Sequence, residues 1–478
     1  MGECNVSRSK SSDKPSTEEN VPPRKLPQIW AALTASIGYF ICGNIIGWSG
    51  SALTKMDKDF EMDANEYSLV ASLFSYGGLV GSFLSGKMMD ALGRRKIMLA
   101  TCPIAACGWA VIGFSTNVYL VYVGRFVCGL ATGFLLNSCS IYTTETCQAS
   151  LRGRLGSLSS LNMTIGILTA YLLSGFFAWR TSAFLLVIPA LVFFVNLYMV
   201  PESPYWYLLK GRFDEATQSM TKLRGKKYDT DKEMKDMIKK ISDIGTISYC
   251  ELLKKRTLLP LVIALFIQTI QQVSGANVII MYSSTIYEKA ESSIDAQMAT
   301  IYTGIAQVIG TVISMFIIDK YGRRILLTVS AATCGIFVTL LGAYFYTLST
   351  GNPWPTWTPL LILFAYIWCY GLGCRSIPWL IGSEMFNSAV RSRANSVIVF
   401  YNRALHLIVI QVYPHLVQSF GNSTVFFAYG VLCPLYAVGT LLFVPETKGK
   451  TLEQMQDYFE KKTSSKKDKD AENSITQF

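Results

Sequence analysis

Amide side chains recur within one apolar stretch of this 478-residue chain. Gln268, Gln271 and Gln272 lie three and four residues apart, and Asn277 follows five residues after Gln272. An amide both donates and accepts hydrogen bonds, which suits the recognition of a hydroxyl-rich molecule. A lipid-facing amide is costly, so four in one stretch are predicted to face the protein interior. Hydrogen bonding between helices is the alternative interpretation, and it fits one or two of them better than the whole set.

Charged residues form a second set, and they recur in two copies along the chain. The segment 90–96, DALGRRK, returns at 319–325 as DKYGRRI. Opposite charges at the ends of apolar stretches can pair when two halves of a protein approach and separate when they part, as in a two-state interface. Static ion pairs between loops are the alternative. The candidates for these pairs are Arg94, Arg95, Arg125, Glu145, Arg152, Glu202, Asp319, Arg323, Arg324, Glu384, Arg391 and Glu446.

Arg125 differs from the other candidates because it lies inside the fourth apolar stretch. A guanidinium near lipid is costly when it is left unpaired. The sequence therefore predicts that Arg125 faces either a carboxylate or interfacial water. The candidate carboxylates are Glu145, Glu202, Glu384 and Glu446.

The elements that must position these residues are membrane-spanning helices. Apolar residues make up 51% of the chain and charged residues only 16%, which is typical of a polytopic membrane protein. Windows of about 20 apolar residues predict a helix for each crossing. The predicted spans are 29–49, 66–86, 97–116, 118–140, 156–177, 181–200, 259–285, 298–318, 325–347, 358–382, 396–418 and 424–444. The fold class is therefore an all-α membrane protein with two six-helix bundles.

The span pattern also predicts the domain organisation and the orientation. The predicted parts are a disordered N-terminus 1–28, a first bundle 29–200, a helical loop 201–258, a second bundle 259–444 and a tail 445–478. Lys and Arg concentrate in the connections on one side, so both termini are predicted to be cytoplasmic. The net charge of +11 is explained by this basic surface next to anionic lipid, and no nucleic acid partner is expected.

Catalytic and metal chemistry is not indicated. The chain has two histidines, and neither has Cys or carboxylate neighbours at metal-ligand spacing. A glycine-rich phosphate loop is absent from the sequence as well. We expect a protein without enzymatic activity, cofactor or metal, whose partners are a small molecule and the lipid bilayer. The oligomeric state is left open, and a functional monomer is expected.

Seven motifs in one order resemble those of the sugar porter family of the major facilitator superfamily. They are Gly93-Arg94-Arg95, Arg125, Glu145 with Arg152-Gly153-Arg154, Pro201-Glu202-Ser203-Pro204, the segment 271–277, Gly322-Arg323-Arg324 and the segment 445–449. The resemblance runs from the first span to about residue 455. It implies a twelve-helix major facilitator fold with a short cytoplasmic helical domain, and transport of a hexose or of trehalose across the cell membrane. The segment 47–53 looks like that of arthropod facilitated trehalose carriers.

The same resemblance implies roles for individual residues. By their match to family positions, the sugar-binding residues are Gln271, Gln272, Asn277, Gln307, Trp379 and Asn402. Tyr282 looks like an aromatic gate at the outer end of the seventh span. Proton-driven members of the family resemble one another in an acidic residue of the first span, but segment 37–48 contains no Asp or Glu. Passive uniport is therefore the expected mechanism, and a sugar receptor that does not transport is the alternative.

Three departures from the family pattern bear on specificity. Ser160 stands where glucose carriers generally have glutamine, Arg375 where the family has small residues and proline, and Arg403 where it has an aromatic residue. The two arginines either pair structurally or recognise an anionic or unusually hydroxylated substrate, because guanidinium binds carboxylates and phosphates well. Both interpretations stay open at this stage.

Overall fold

A computed structural model describes residues 23–243, 252, 254–352, 354–386, 388–448, 454–455 and 458–459. Some side chains in these ranges are not described, and those of Arg152, Asp319 and Arg391 are among them, so their predicted roles lie outside the described part. The regular elements of the described residues are helices, and the all-α prediction is confirmed.

The first half contains α1 to α7. Their bounds are α1 Leu26–Phe60, α2 Ala64–Leu92, α3 Arg94–Gly113, α4 Val118–Thr146, α5 Ala149–Phe176, α6 Trp179–Leu185 and α7 Ile188–Met199. The predicted span 181–200 is divided into α6 and α7, because Pro189 at the start of α7 lacks the N–H that a continuous helix needs. Asp63 and Glu66 form a capping box that fixes where α2 begins.

Three short helices follow in the loop: α8 Pro204–Leu209, α9 Phe213–Arg224 and α10 Asp231–Asp243. Leu208, Ala216, Met220 and Met234 form a small separate core between them. Arg224 joins α9 to α10 through an ion pair with Glu233 of 2.8 Å. The end of the bundle that carries α8–α10 is called the basic end below, and the other is called the opposite end.

The second half contains α11 to α18. Their bounds are α11 Lys255–Val273, α12 Ala276–Met281, α13 Ser283–Lys289, α14 Ala296–Tyr321, α15 Arg323–Ser349, α16 Thr358–Leu372, α17 Ile377–Glu384 and α18 Ser388–Phe443. Gly275, at φ +87°, interrupts the seventh span between α11 and α12. Gly421, at φ 79°, divides α18 into the last two spans. Within the described residues, ten helical segments have the length and hydropathy of a span, with α6–α7 and α16–α17 each counted as one segment. Counting the interrupted seventh span and the divided α18 gives the twelve predicted spans.

Helices within the first half approach closely through glycine. A Cβ at Gly43 of α1 would lie 2.1 Å from the carbonyl oxygen of Met163 in α5, and one at Gly129 of α4 would lie 2.2 Å from that of Phe74 in α2. Small residues at such positions bring helix backbones together in a membrane.

The two halves meet towards the opposite end. Ser51 of α1 donates to Gln297 of α14, and Ser72 of α2 donates to Gln411 of α18. Tyr171 of α5 donates its hydroxyl to the carbonyl oxygen of Ile280 in α12 at 2.6 Å. These contacts close the bundle at the opposite end in this structure.

Candidate functional site

An amide network connects α11, α16, α17 and α18. Asn402 of α18 donates through Nδ2 to Oε1 of Gln268 at 2.8 Å and to Oε1 of Gln271 at 2.9 Å. The Gln271 Nε2 in turn donates to the carbonyl oxygen of Arg375 at 2.8 Å. The Gln268 Nε2 donates to that of Pro378 at 3.4 Å. Both amide groups of Gln268 and of Gln271 are therefore engaged by the protein itself.

The Arg375 carbonyl is available to Gln271 because the helix is interrupted between α16 and α17, whereas the Pro378 carbonyl lies in the first turn of α17. Gly373 has non-helical dihedral angles of φ −141° and ψ −60°. Pro378 follows at the start of α17. The hydroxyl of Ser330 on α15 accepts from the N–H of Cys374 at 3.1 Å and holds the break in place. Irregular backbone at membrane depth is tolerated where it lines a polar cavity.

A second amide pair lies across the Gly275 interruption. Asn277 donates through Nδ2 to Oε1 of Gln272 at 2.7 Å. The Gln272 Nε2 donates to no protein group in the described part of the chain, so this pair keeps hydrogen-bonding capacity for a ligand. The sequence-predicted amides thus divide into an engaged set with Gln271 and Asn402, and an available pair with Gln272 and Asn277.

Three further predicted residues lie around these amides. The Nε2 of Gln307 on α14 is buried and has no hydrogen-bond partner among the described residues. Trp379 follows Pro378 directly and is 38% exposed. Ser160 of α5 is half-buried, and within the described residues its hydroxyl makes no hydrogen bond. These roles stay predictions, since no ligand contact tests them.

Asn44 of α1 did not emerge from the sequence as a site residue. Both polar atoms of its side chain are buried, and neither has a hydrogen-bond partner in the part of the chain that the structure describes. A buried amide in this condition costs free energy unless water or a ligand reaches it. The only feature of the sequence that could have indicated Asn44 as a site residue was the position of an amide inside an apolar span.

Tyr282 lies between α12 and α13, where the two halves touch. Its ring stacks on that of Tyr67 in α2 with centroids 6.1 Å apart. Its hydroxyl donates to the carbonyl oxygen of Ile410 in α18 at 3.0 Å. Tyr282 is 1% exposed and therefore fills the closed side between the halves. This placement suits the predicted aromatic gate.

At the basic end, one charge cluster lies within each half. Arg94 binds Glu145 through an ion pair of 2.9 Å, and Ser203 donates to the same carboxylate at 2.5 Å. In the second half, Arg323 lies 3.5 Å from Glu384, and Thr447 donates to that carboxylate at 2.5 Å. These clusters tie the elements of one half together.

Glu202 and Glu446 bind helix N-termini. Glu202 accepts from the N–H groups of Arg94 and Arg95 at 3.0 and 2.9 Å, at the start of α3. Glu446 accepts from those of Arg323 and Arg324 at 3.0 and 3.1 Å, at the start of α15. Burial by itself would raise the pKa of Glu446, but the backbone donors outweigh it and hold that pKa below its usual value.

The sequence interpretation of these glutamates as partners of arginine side chains needs correction. Free N–H groups at a helix start attract a carboxylate, and the helix dipole strengthens this contact. The side chains of Arg95 and Arg324 donate instead to the carbonyl oxygens of Leu197, at 2.7 Å, and of Leu441.

This arrangement requires glycine immediately before α3. We expect Gly93→Ala to destabilise the folded protein by about 1–3 kcal/mol, because φ is +99° and an added Cβ would lie 2.5 Å from the Glu202 Oε2. Thermal melting of the detergent-solubilised protein measures the effect. Gly86→Ala is the control, since nothing lies within 4 Å of its Cβ position. Equal melting temperatures for the two variants would contradict the capping role of Glu202.

The predicted carboxylate partner of Arg125 is not found among the described residues. Its guanidinium donates to the carbonyl oxygens of Ile45 and Val70 at 2.8 and 3.0 Å and to the Ser49 hydroxyl at 2.6 Å. The ring of Phe74 lies 4.9 Å from its Cζ. Arg125 is 0% exposed. Oriented dipoles and π faces replace the carboxylate that the sequence predicted.

Arg375 and Arg403 are half-buried, and they differ from Arg125 in their surroundings. Arg375 lies in the break between α16 and α17, and Arg403 follows Asn402 on α18. Within the described residues, neither guanidinium donates a hydrogen bond to a protein group or forms an ion pair.

Comparison with known proteins places residues 31–459 in one family. A family model described as "Sugar (and other) transporter" matches residues 31–459. The facilitated trehalose transporter Tret1 of Culex quinquefasciatus is 33% identical over 449 residues, which cover 92% of this chain and 87% of the relative. That of Aedes aegypti is 33% identical over 90% of this chain, which spans only 54% of the relative's length.

Solved structures share the fold. The inward open conformation of the xylose transporter XylE from E. coli matches with a TM-score of 0.76 at 23% identity, over 89% of this chain and 98% of that one. XylE bound to 6-bromo-6-deoxy-D-glucose matches with a TM-score of 0.74 over 91% of this chain. The predicted major facilitator fold with two six-helix halves is confirmed.

Proposed function

The chain belongs to the sugar (and other) transporter family, and we propose that it carries a sugar across the cell membrane by facilitated diffusion with alternating access. The observation that carries this proposal is the Gln272–Asn277 pair, joined by a hydrogen bond of 2.7 Å and placed at a break in a spanning helix. Amides that keep free donors and acceptors suit sugar hydroxyls. The relatives' names mention trehalose, so trehalose and a hexose are the neutral sugars with which transport is tested first.

Alternating access needs halves that separate at one end while they join at the other. The halves 29–200 and 259–444 are joined at the opposite end by Tyr282 and by Ser51, Ser72 and their partners. Rocking of one half against the other would break these contacts and open the site on that side. The clusters around Arg94 and Arg323 are proposed to hold each half rigid during this motion.

The basic end is proposed to be cytoplasmic, with both termini on that side. Lys and Arg are enriched in cytoplasmic connections of membrane proteins. The basic end carries α8–α10 and the motif arginines, whereas the opposite end carries only Lys55, Lys58, Arg180 and Lys289 among the described residues. In sealed right-side-out vesicles, protease added outside should leave the loop 201–258 intact. Cleavage there would contradict this orientation.

Proton coupling is not part of the proposal. The first span has no carboxylate, and Asn44 at its centre cannot titrate. We expect initial uptake rates in proteoliposomes to be the same with and without a pH gradient, when valinomycin and equal potassium hold the membrane potential at zero. A severalfold fall on collapsing the pH gradient would contradict passive transport.

A further inference from the structure

Two positive charges in the middle of the bundle lack a protein counter-charge. Arg375 and Arg403 are half-buried, and their guanidiniums find neither a hydrogen-bond acceptor nor a carboxylate in the described part of the chain. Arg125 shows how this protein satisfies a buried guanidinium, with three hydrogen bonds and aromatic faces. Arg375 and Arg403 therefore present unused donors.

The spanning helices have no carboxylate at the membrane depth of Arg375 and Arg403. Every Asp and Glu of the spanning helices lies in the first or last turn of its helix. Arg403 lies well inside α18, and Arg375 lies between α16 and α17, seventeen residues after α16 begins. An ionised residue at membrane depth usually faces the protein interior or a water-filled cavity and marks a substrate pathway.

Arg403 lies near the surface where the second half meets the first. One turn further along α18, the Nδ1 of His406 lies 3.0 Å from the Ser75 hydroxyl on α2. A substrate must pass along this surface if the halves alternate.

The same arginines are attached to the amide network. The carbonyl oxygen of Arg375 accepts from Gln271 at 2.8 Å. Asn402, next to Arg403, donates to Gln271 at 2.9 Å. The network therefore fixes the backbone at Arg375 and at the residue before Arg403, and it does so through Gln271, the residue next to Gln272.

We propose that the cavity between the halves binds an anionic sugar, a monosaccharide that carries a carboxylate, with its hydroxyls at Gln272 and Asn277 and its carboxylate at Arg375 and Arg403. The planar guanidinium donates two parallel hydrogen bonds to a carboxylate, and this contact is stronger than one between neutral groups. This inference rests on the proposed transport function and gives it a substrate class.

Competition in proteoliposomes tests the assignment. With labelled glucuronate as the probe, we expect unlabelled glucuronate to compete at a concentration at least about tenfold lower than glucose does. Arg375→Gln and Arg403→Gln should each remove most of this preference, and Arg403→Lys should restore part of it. Arg212→Gln is the matched control, because Arg212 lies on the surface of the loop domain, where it pairs with Glu215.

The wild-type protein alone gives a second test, which does not depend on the folding of any variant. Uniport of a monovalent anion moves one charge, so an inside-positive potential of about 60 mV should accumulate glucuronate about tenfold. The same potential should leave the distribution of a neutral sugar unchanged. Potassium gradients with valinomycin set the potential.

The possible results separate this inference from the proposed function. Potential-independent transport of a neutral sugar, with no competition from glucuronate, would overturn the anionic substrate and leave sugar transport standing. Neutral-sugar uptake that requires chloride would assign the two arginines to an inorganic anion instead, which also overturns the inference. If no sugar moves, the proposed function fails, and calorimetry of glucuronate binding to the solubilised protein still decides whether the site takes a carboxylate.

Discussion

Replacing Arg125 with leucine or lysine should abolish transport and destabilise the folded protein by about 3–5 kcal/mol. The guanidinium on α4 binds α1 through Ile45 and Ser49 and α2 through Val70. It is the one side chain that holds these three helices at a single point in the described structure. Leucine leaves the Ser49 hydroxyl without this partner, and lysine places one small ammonium where three directed N–H groups are needed.

Thermal melting and uptake by reconstituted protein measure the two effects of changing Arg125. Arg212→Lys serves as the control, because the same chemical change at an exposed ion pair should leave the melting temperature nearly unchanged. A fully active Arg125→Lys protein with wild-type melting would show that charge alone suffices. In that case the directed hydrogen bonds would not explain the presence of arginine inside the fourth span.

Replacing Gln272 with alanine should weaken substrate binding by about 1–3 kcal/mol, a loss of roughly 5- to 150-fold in affinity, with little change in melting temperature. The Nε2 of Gln272 has no acceptor in the described structure, so its removal leaves no protein group unpaired except Asn277. The substrate's hydroxyl would then face a site without its partner.

Two further variants make the Gln272 result specific. Gln268→Ala should mainly lower the melting temperature, because Gln268 connects Asn402 to the Pro378 carbonyl. Asn196→Ala should change neither property, because its amide donates only to Val192 of the same helix at 2.8 Å. Wild-type affinity in Gln272→Ala would contradict the placement of the site.

The sequence predicted the spans well, because about 20 apolar residues must form a helix in a bilayer. It placed the division near Gly421 between two predicted spans, but it did not predict interruptions inside a single span. The breaks between α6 and α7 and between α16 and α17 change backbone direction without changing hydropathy. Gly275, at φ +87°, likewise interrupts the predicted span 259–285.

The charged motifs show the limit of reasoning from residue types. Glu202 and Glu446 were interpreted as partners of arginine side chains, but their main contacts are backbone N–H groups. Arg125 was expected to face a carboxylate or interfacial water, and it instead binds carbonyls from other helices. Backbone donors and acceptors carry no sequence signal, so only a three-dimensional arrangement reveals them.

For the amides of the seventh span, the sequence predicted the polar site but not its division into two sets. Their number in one span predicted an inward-facing polar site, and the structure does bring Gln268 and Gln271 together with Asn402. The separation into an engaged set and an available pair depends on which carbonyls Gln268 and Gln271 reach around the break between α16 and α17. That detail lies in the backbone and could not be inferred from spacing.

Counterflow in proteoliposomes tests the central claim most directly. Vesicles are loaded with unlabelled glucose, trehalose or glucuronate, diluted, and given the same compound in labelled form at low concentration. A carrier that alternates between two sides predicts a transient overshoot of labelled sugar for at least one of the three, and Gln272→Ala should reduce it. Specific binding without an overshoot for any of them would contradict transport and identify the protein as a receptor.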